Sequence, residues 1–425
     1  MVGKLLAAVF AFILCAGIAV AQNCPANPNN LANGSTADAT QVMANFNNLL
    51  NCADNNLAHN GANSDITSLS GLAAPLSRNR LVNGTMMIDQ RNEGAAVSAA
   101  SGSAQFVTDQ WAFAFTGAST GNTAQQVSDA PARFKNSLRI TIGTGSATVN
   151  ASDSMRVRQY IEGQNIVDFG YGASGASPIS ISFWVKASVT GTYSVSLQNS
   201  AQNRSYVTTF LIGTANTWSQ VVLPNISGDI TGTWLTTNGA GLELGISLEA
   251  GSSVQTSTSN TWQSGNVLAT NSSPVNLGAT SGATFQVTGV QLEAGSAATA
   301  FDVHSYGAEL ALCQRYYEKS YDPGTAVATA TGLGAIAIVI TALPTGPLQG
   351  GTNDRYKVTK RATPTVTLYS PHTGASGKIY DANANADSAS SPYDVGLSGF
   401  SWYASTAGSS GAVNMEAQWT ADAGL

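Results

Sequence analysis

The stretch Ile179-Ser180-Ile181-Ser182-Phe183-Trp184-Val185-Lys186 alternates along its whole length. Successive side chains of an extended chain point to opposite faces, so Ile181, Phe183 and Val185 share one side and Ser182, Trp184 and Lys186 the other. A helix would repeat its apolar residues every three or four positions instead. This stretch is therefore a half-buried β-strand. Runs of the same kind lie at residues 138–142, 193–197, 204–211, 218–223, 242–248 and 285–292, with Gly, Asn, Ser and Pro between them. Strands at this spacing, without an intervening helical period, make a β-sandwich or jelly roll. We assign it to residues 79–305.

Further runs at 335–340, 365–369, 400–403 and 413–419 predict a small β domain over 306–425, with 381–392 as an Asn/Ala/Ser/Asp loop. Upstream the pattern changes. Val42, Phe46, Leu49, Ala53 and Leu57 recur at helical spacing and form one apolar stripe on a helix over 39–57, capped by Thr36 or Asp38. A lone amphipathic helix cannot bury its own stripe, so Val42, Phe46, Leu49 and Leu57 are candidate oligomer contacts. Residues 22–78 thus read as a helical anchor followed by a Gly/Ser/Asn-rich linker. Residues 1–21 combine Lys4, an apolar run from Leu5 to Val20 and the small-x-small site Ala19-Val20-Ala21, the pattern of a cleaved export signal. No stable membrane span is expected after cleavage. Export places Cys24 and Cys52 in an oxidising compartment, where a disulfide between them is expected. Cys313 is expected to pack as a small apolar residue.

Composition narrows the function. The 425 residues carry only 10% charged side chains and a net charge of −6, with 43% hydrophobic residues. That is too apolar for a disordered chain. The 18 basic residues are scattered, which argues against a nucleic-acid partner. The three histidines, His59, His304 and His372, are far apart, and no zinc motif, nucleophile elbow or phosphate loop occurs. Glu162, Glu243, Glu249 and Glu293 are the carboxylates that a glycosidase would need to pair. Glu162 and Glu293 each precede glycine at a strand end and read as solvated turns. Neither enzymatic activity, nor a cofactor, nor a metal is expected.

Binding has more to build on. The period of two turns Arg158 and Tyr160 away from Val157 and Ile161, and Trp184 and Lys186 away from Phe183 and Val185. Applied to 204–211, with Val207 and Leu211 inward, it adds Arg204 and Tyr206 to the outer set. If these strands share a sheet, the six residues form one aromatic and basic face. Sugars stack their C–H faces on aromatic rings and need fixed polar partners for their hydroxyls. The competing reading is that a loop or a neighbouring subunit covers this face.

Several phrases carry a family resemblance. Asn79-Arg80-Leu81-Val82-Asn83-Gly84-Thr85-Met86 with Asp89-Gln90-Arg91, Ile161-Glu162-Gly163-Gln164, and Ile181 to Lys186 resemble the opening and middle of jelly rolls in phage and prophage tail proteins. Gly289-Val290-Gln291-Leu292-Glu293-Ala294-Gly295, Ala300-Phe301, and Glu309 to Tyr317 resemble the closing strand and exit. The N-terminal Asn33 to Asp38, Met43 to Phe46 and Gly61 to Leu72 resemble fibre anchor modules. The resemblance implies a non-catalytic tail-fibre-type protein, a homotrimer, that binds host surface glycans. Related jelly rolls hold calcium through an acidic residue in the closing strand; Thr288 and Gly289 stand there in this chain. A cleaved signal departs from a virion protein, so a secreted carbohydrate-binding protein or adhesin is the alternative, and a polysaccharide depolymerase the second. The protein is expected outside the cell or on a virion appendage.

Overall fold

A computed structural model describes residues 38–56, 78–272, 275–340, 353–404 and 413–425. The expected signal peptide, Cys24 and hence its bridge to Cys52, Leu57 and the linker lie outside the described residues. The chain divides into two compact units, 1–75 and 76–425.

In the first unit, α1 (Ala39–Asn56) is the expected helix. Asp38 is its cap: the Thr40 backbone N–H donates to the Asp38 carboxylate at 2.8 Å and the Val42 N–H to its carbonyl. Met43 and Phe46 are more than half exposed. Among the described residues no helix is long and apolar enough to cross a membrane.

The second unit is mainly β. The sandwich runs through β1 (Val97–Ser98), β2 (Ser103–Thr108), β3 (Trp111–Thr116), β4 (Thr123–Val127) and β5 (Ser137–Thr141). It continues with β6 (Ser154–Glu162), β7 (Ile179–Ala187), β8 (Gly191–Asn199), β9 (Arg204–Ile212), β10 (Ser219–Ile226) and β11 (Ala240–Ala250). The short β12 (Gln255–Thr256), β13 (Trp262–Ser264) and β14 (Ala269–Thr270) precede the closing strand β15 (Thr284–Ala294). A six-stranded sheet has the order β1-β4-β5-β15-β7-β10, and a seven-stranded sheet the order β13-β9-β8-β11-β6-β3-β2. Together they form a jelly-roll sandwich around one core. Phe183, Val185 and Phe285 come from the first sheet, and Trp111, Phe113, Val157, Tyr193 and Leu244 from the second. Each such side chain stabilises the fold by roughly 1.5–3 kcal/mol on burial. Strand β3 shows why the sequence pleats this way: Trp111, Phe113 and Phe115 fill the core while Ala112 and Ala114 face out.

The phrases quoted for the family resemblance tie the sandwich's opening segment to its closing strand. Asn79 Nδ2 donates to the Val290 carbonyl at 2.9 Å, and the Leu292 N–H donates to Asn79 Oδ1 at 3.1 Å. A Cβ on Gly84 would sit 2.2 Å from the Val290 carbonyl oxygen, so only glycine fits there. Gly289 (φ +62°) takes up the register shift between Thr288 and Gln291 in β15.

Helix α2 (Tyr306–Gln314) leads to β16 (Tyr317–Lys319), β17 (Ile336–Ile340), β18 (Asn353–Arg355) and β19 (Thr365–Tyr369). The series ends with β20 (Lys378–Asp381), β21 (Ala386–Tyr393), β22 (Gly399–Ala404) and β23 (Val413–Asp422). These strands form an eight-stranded sheet in which β23 pairs with β16, β17, β19 and β20. Its own core holds Leu368, Ile379, Phe400, Trp402 and Trp419. The stretch expected as a loop at 381–392 is instead mostly a hairpin: β20 and β21 pair from Lys378↔Ala389 to Asp381↔Ala386. Asn383 and Asn385 mark the turn, while Asp387, Ser388, Ser390 and Ser391 lie in the strand itself. A third cluster joins the two β regions, with Cys313 fully buried against Val82, Ile88 and Tyr316. Cys313 packs as the small apolar residue expected. Arg91 spans the same junction, donating to both Asp422 carboxylate oxygens at 2.6 and 3.0 Å and stacking 4.0 Å over the Tyr317 ring.

Candidate functional site

The six residues expected on one face do not share one. Trp184 and Lys186 project from β7 on the outside of the six-stranded sheet. There Lys186 is ion-paired with Asp129, and its Nζ lies 5.2 Å from the Trp218 ring. The Lys186 ammonium holds the Asp129 carboxyl below its ordinary value. Arg158 and Tyr160 project from β6 on the outside of the seven-stranded sheet. Tyr206 belongs to neither outer face. It pairs with Leu197 across β8 and β9, turns into the core and is 5% exposed, whereas Leu211, expected inside, is 68% exposed. The inward set on β9 is Tyr206, Phe210 and Ile212, one residue out of step with the sequence reading. Arg204 follows Tyr206 inward and donates through Nε and Nη2 to the buried Asp229, both at 2.7 Å.

What the fold does bring together lies outside the seven-stranded sheet. The register aligns Phe106 with Ala112, Ala112 with Arg158, Arg158 with Gly245, and Tyr160 with Glu243. Half of this face is covered, although none of the six candidate residues lies under the cover. Ser247 Oγ donates to the Leu268 carbonyl, Ser205 Oγ to that of Gly265, and Gln198 Nε2 to Asn266 Oδ1 at 2.8 Å, so 265–270 roofs β8, β9 and β11. The uncovered half, over β2, β3 and β6, is a pocket of about 110 Å³ lined by Ala104, Phe106, Gln110, Ala112, Arg158, Gln159, Tyr160 and Leu425. The alanines leave the floor open, and Phe106 and Tyr160 supply rings.

The polar groups beneath the pocket are ordered around one carboxylate. Glu243 is 1% exposed and lies 3.3 Å from a guanidinium nitrogen of both Arg156 and Arg158. Arg158 Nη1 also donates to the Tyr160 hydroxyl at 2.7 Å, and its guanidinium carbon lies 4.8 Å from that ring. Burial, then the Glu243 charge, raises the Tyr160 phenol above its ordinary value, keeping it a neutral donor and acceptor. Burial pulls the Arg156 guanidinium down from its ordinary value. In this cluster Nε of Arg156, Nε of Arg158 and Nε2 of Gln110 are buried without an acceptor, and Glu243 Oε1 is buried without a donor.

Phe106, Gln110 and Ala112 escaped the sequence reading, although Trp111-Ala112-Phe113-Ala114-Phe115 alternates as plainly as any strand. Gln110 occupies the β2–β3 turn at φ +68°. The glutamates expected on solvated turns are buried. Glu162 accepts from Arg315 Nε and Nη2 at 2.7 and 2.8 Å, and Glu293 accepts from the Thr299 N–H and hydroxyl, each at 2.7 Å. Both have traded water for fixed donors. His304 contacts Glu309 at 2.7 Å, and Glu309 in turn accepts from the Asn83 N–H; the histidine has a structural part. Among the described residues no group of three or more His, Cys, Asp or Glu is placed to hold a metal ion.

No family model and no curated protein matches the sequence. Several solved structures match part of the chain at low similarity. The enzymatically active domain of tailspike protein 4 of bacteriophage CBA120 is 13% identical over 51% of this chain, with a TM-score of 0.28. This chain covers 21% of that one. A family 61 carbohydrate-binding module solved with β-1,4-galactotriose is 10% identical, over 51% of this chain and 99% of its own, at TM-score 0.26. The family 11 carbohydrate-binding module of the Clostridium thermocellum cellulase Lic26A-Cel5E is 12% identical, over 48% and 99%, at TM-score 0.24.

Proposed function

We propose that this protein is a non-catalytic glycan-binding protein of the phage tail-fibre type, and that the pocket over β2, β3 and β6 is its sugar-contact site. One observation carries the reading: two aromatic rings, Phe106 and Tyr160, flank a pocket whose side chains Arg158 and Gln110 hold unused donors. A pyranose ring presents C–H patches for the rings and oxygen acceptors for the donors. Binding rather than cleavage fits the same residues. No Asp or Glu side chain lines the pocket among the described residues, and Glu243 beneath it is engaged by two guanidiniums. Hydrolysis by paired carboxylates needs two of them across the bond. Exposed Met43 and Phe46 on α1 support self-association through that helix, the trimer of the proposal.

The test is a glycan array followed by titration of the best hit. Tyr160→Ala and Phe106→Ala should each weaken binding at least tenfold. Trp184→Ala, on the opposite sheet, should leave it unchanged. Binding that survives both aromatic deletions and fails with Trp184→Ala would move the site to the other face. The export signal expected at residues 1–21 favours a free secreted carbohydrate-binding protein as a second reading. Finding the protein in culture medium and missing from purified virions would decide for it.

A further inference from the structure

The charge and hydrogen-bond inventory of the pocket specifies the ligand more narrowly than rings alone. Two guanidiniums, Arg156 and Arg158, converge on the single carboxylate of Glu243. Among the described residues neither arginine has another acidic partner within ion-pair distance. The assembly is thus left with one uncompensated positive charge, next to a cavity rather than in bulk water. Arg156 is 7% exposed and Glu243 1%, and the side chain of Arg158, which lines the cavity, is 17% exposed. Unpaired charge at such a depth is costly, because water screens it poorly and interior dielectrics are low.

Glu243 Oε1, deeper in the cluster, has no hydrogen-bond partner either, but among the pocket's own lining the unsatisfied groups are donors. Arg158 uses Nη1 on both Tyr160 and Glu243, while its Nε has no acceptor. Gln110, 3% exposed, lines the same pocket with an unsatisfied Nε2. Buried donors without acceptors are rare and destabilising. A neutral hydroxyl could satisfy one of them, but it would leave the charge. A carboxylate supplies several lone pairs together with the missing negative charge, and its planar geometry matches a guanidinium edge. We infer that the pocket selects an acidic glycan, one whose terminal or branching sugar carries a carboxylate that docks against Arg158 and Gln110. The inference rests on the glycan-binding reading above and sharpens it to a ligand class.

The decisive comparison uses one polymer in two forms. Uronic-acid- and sialic-acid-bearing oligosaccharides, each paired with its carboxyl-reduced counterpart, are titrated calorimetrically into the full chain. The acidic form should bind at least tenfold more tightly than the reduced form. Arg158→Gln should abolish that preference, and Arg158→Lys, which keeps the charge but loses the planar fork, should retain part of it. Gln110→Ala tests the second donor without touching the ion pairs, so the inference stays open to refutation even if an Arg158 variant folds poorly. Equal affinity for acidic and reduced forms, with binding still lost in Tyr160→Ala, would overturn the acidic class and leave the glycan site standing. Binding of neither form, nor of any neutral oligosaccharide, would overturn both. An acidic preference unchanged in Arg158→Gln and Gln110→Ala would also sink the assignment, because another site would then be responsible.

Discussion

Glu249 offers the sharpest test of how burial governs this fold. It sits on β11 at 3% exposure, pressed between two glycines. A Cβ on Gly278 would lie 2.1 Å from one carboxylate oxygen, and one on Gly117 would lie 2.9 Å from the other. Its Oε1 has no hydrogen-bond partner, and Asp153 adds a like charge nearby. Burial first, then Asp153, pushes its pKa from the ordinary 4.5 to about 7. The sign follows from proton counting. The folded state holds this proton more tightly than the unfolded chain, so the stabilisation is complete below pH 4.5 and drains away as pH rises through about 7. At about 1.4 kcal/mol per pH unit of displacement, the ionised fold is roughly 3 kcal/mol less stable than the protonated one. Glu249→Gln removes the titration while keeping the shape. Urea unfolding of wild type and variant at pH 5 and pH 8, followed by circular dichroism, measures the difference. The variant should be the more stable protein at pH 8 by about 2 kcal/mol, allowing about 1 kcal/mol for an unsatisfied amide. At pH 5 its advantage should vanish. Stability curves that fall in parallel between those pH values would refute the reasoning, because Glu249 would then not be the group that titrates.

Other consequences are as direct. Arg315→Ala should cost roughly 3 kcal/mol in a urea titration, since it strands the fully buried Glu162 without its bidentate partner. Gly289→Ala should lower the melting temperature: its backbone is left-handed, and a Cβ there would stand 2.6 Å from the Phe134 ring. Light scattering on the mature chain should report a trimer, and Phe46→Asp should weaken it by placing a charge in an apolar seam; a monomer at micromolar concentration would remove that proposal.

Strands were legible where one face alone is apolar. Strand β7 is such a case, since Ile181, Phe183 and Val185 have no apolar competitors at the intervening positions except Trp184. Strand β9 is the contrary case. It carries Tyr206, Phe210 and Ile212 on one side and Val207 and Leu211 on the other, and Val207 is fully buried on the outer face. Apolar residues on both faces remove the contrast on which alternation depends, and a slip of one residue reverses every assignment. The site suffered from a second limit. Which sheet a strand joins is decided by pairings between distant segments, so nothing local could reveal that Trp184 and Tyr160 stand on opposite sheets. Arg158 and Tyr160 were readable as outward residues; their partners Phe106 and Gln110 come from a hairpin far upstream, and Glu243 from far downstream.

Strand β23 has a bearing on how the protein is made. It is the latest strand in sequence, yet four earlier strands pair with it: β16, β17, β19 and β20. During synthesis those strands emerge without the ladder that joins them, and unpaired strand edges are templates for association with other chains. The jelly roll, closed by β15, can fold while the ribosome is still at work. The C-terminal sheet must wait, so nascent chains stalled before residue 413 should carry a finished sandwich and an adhesive, half-built sheet.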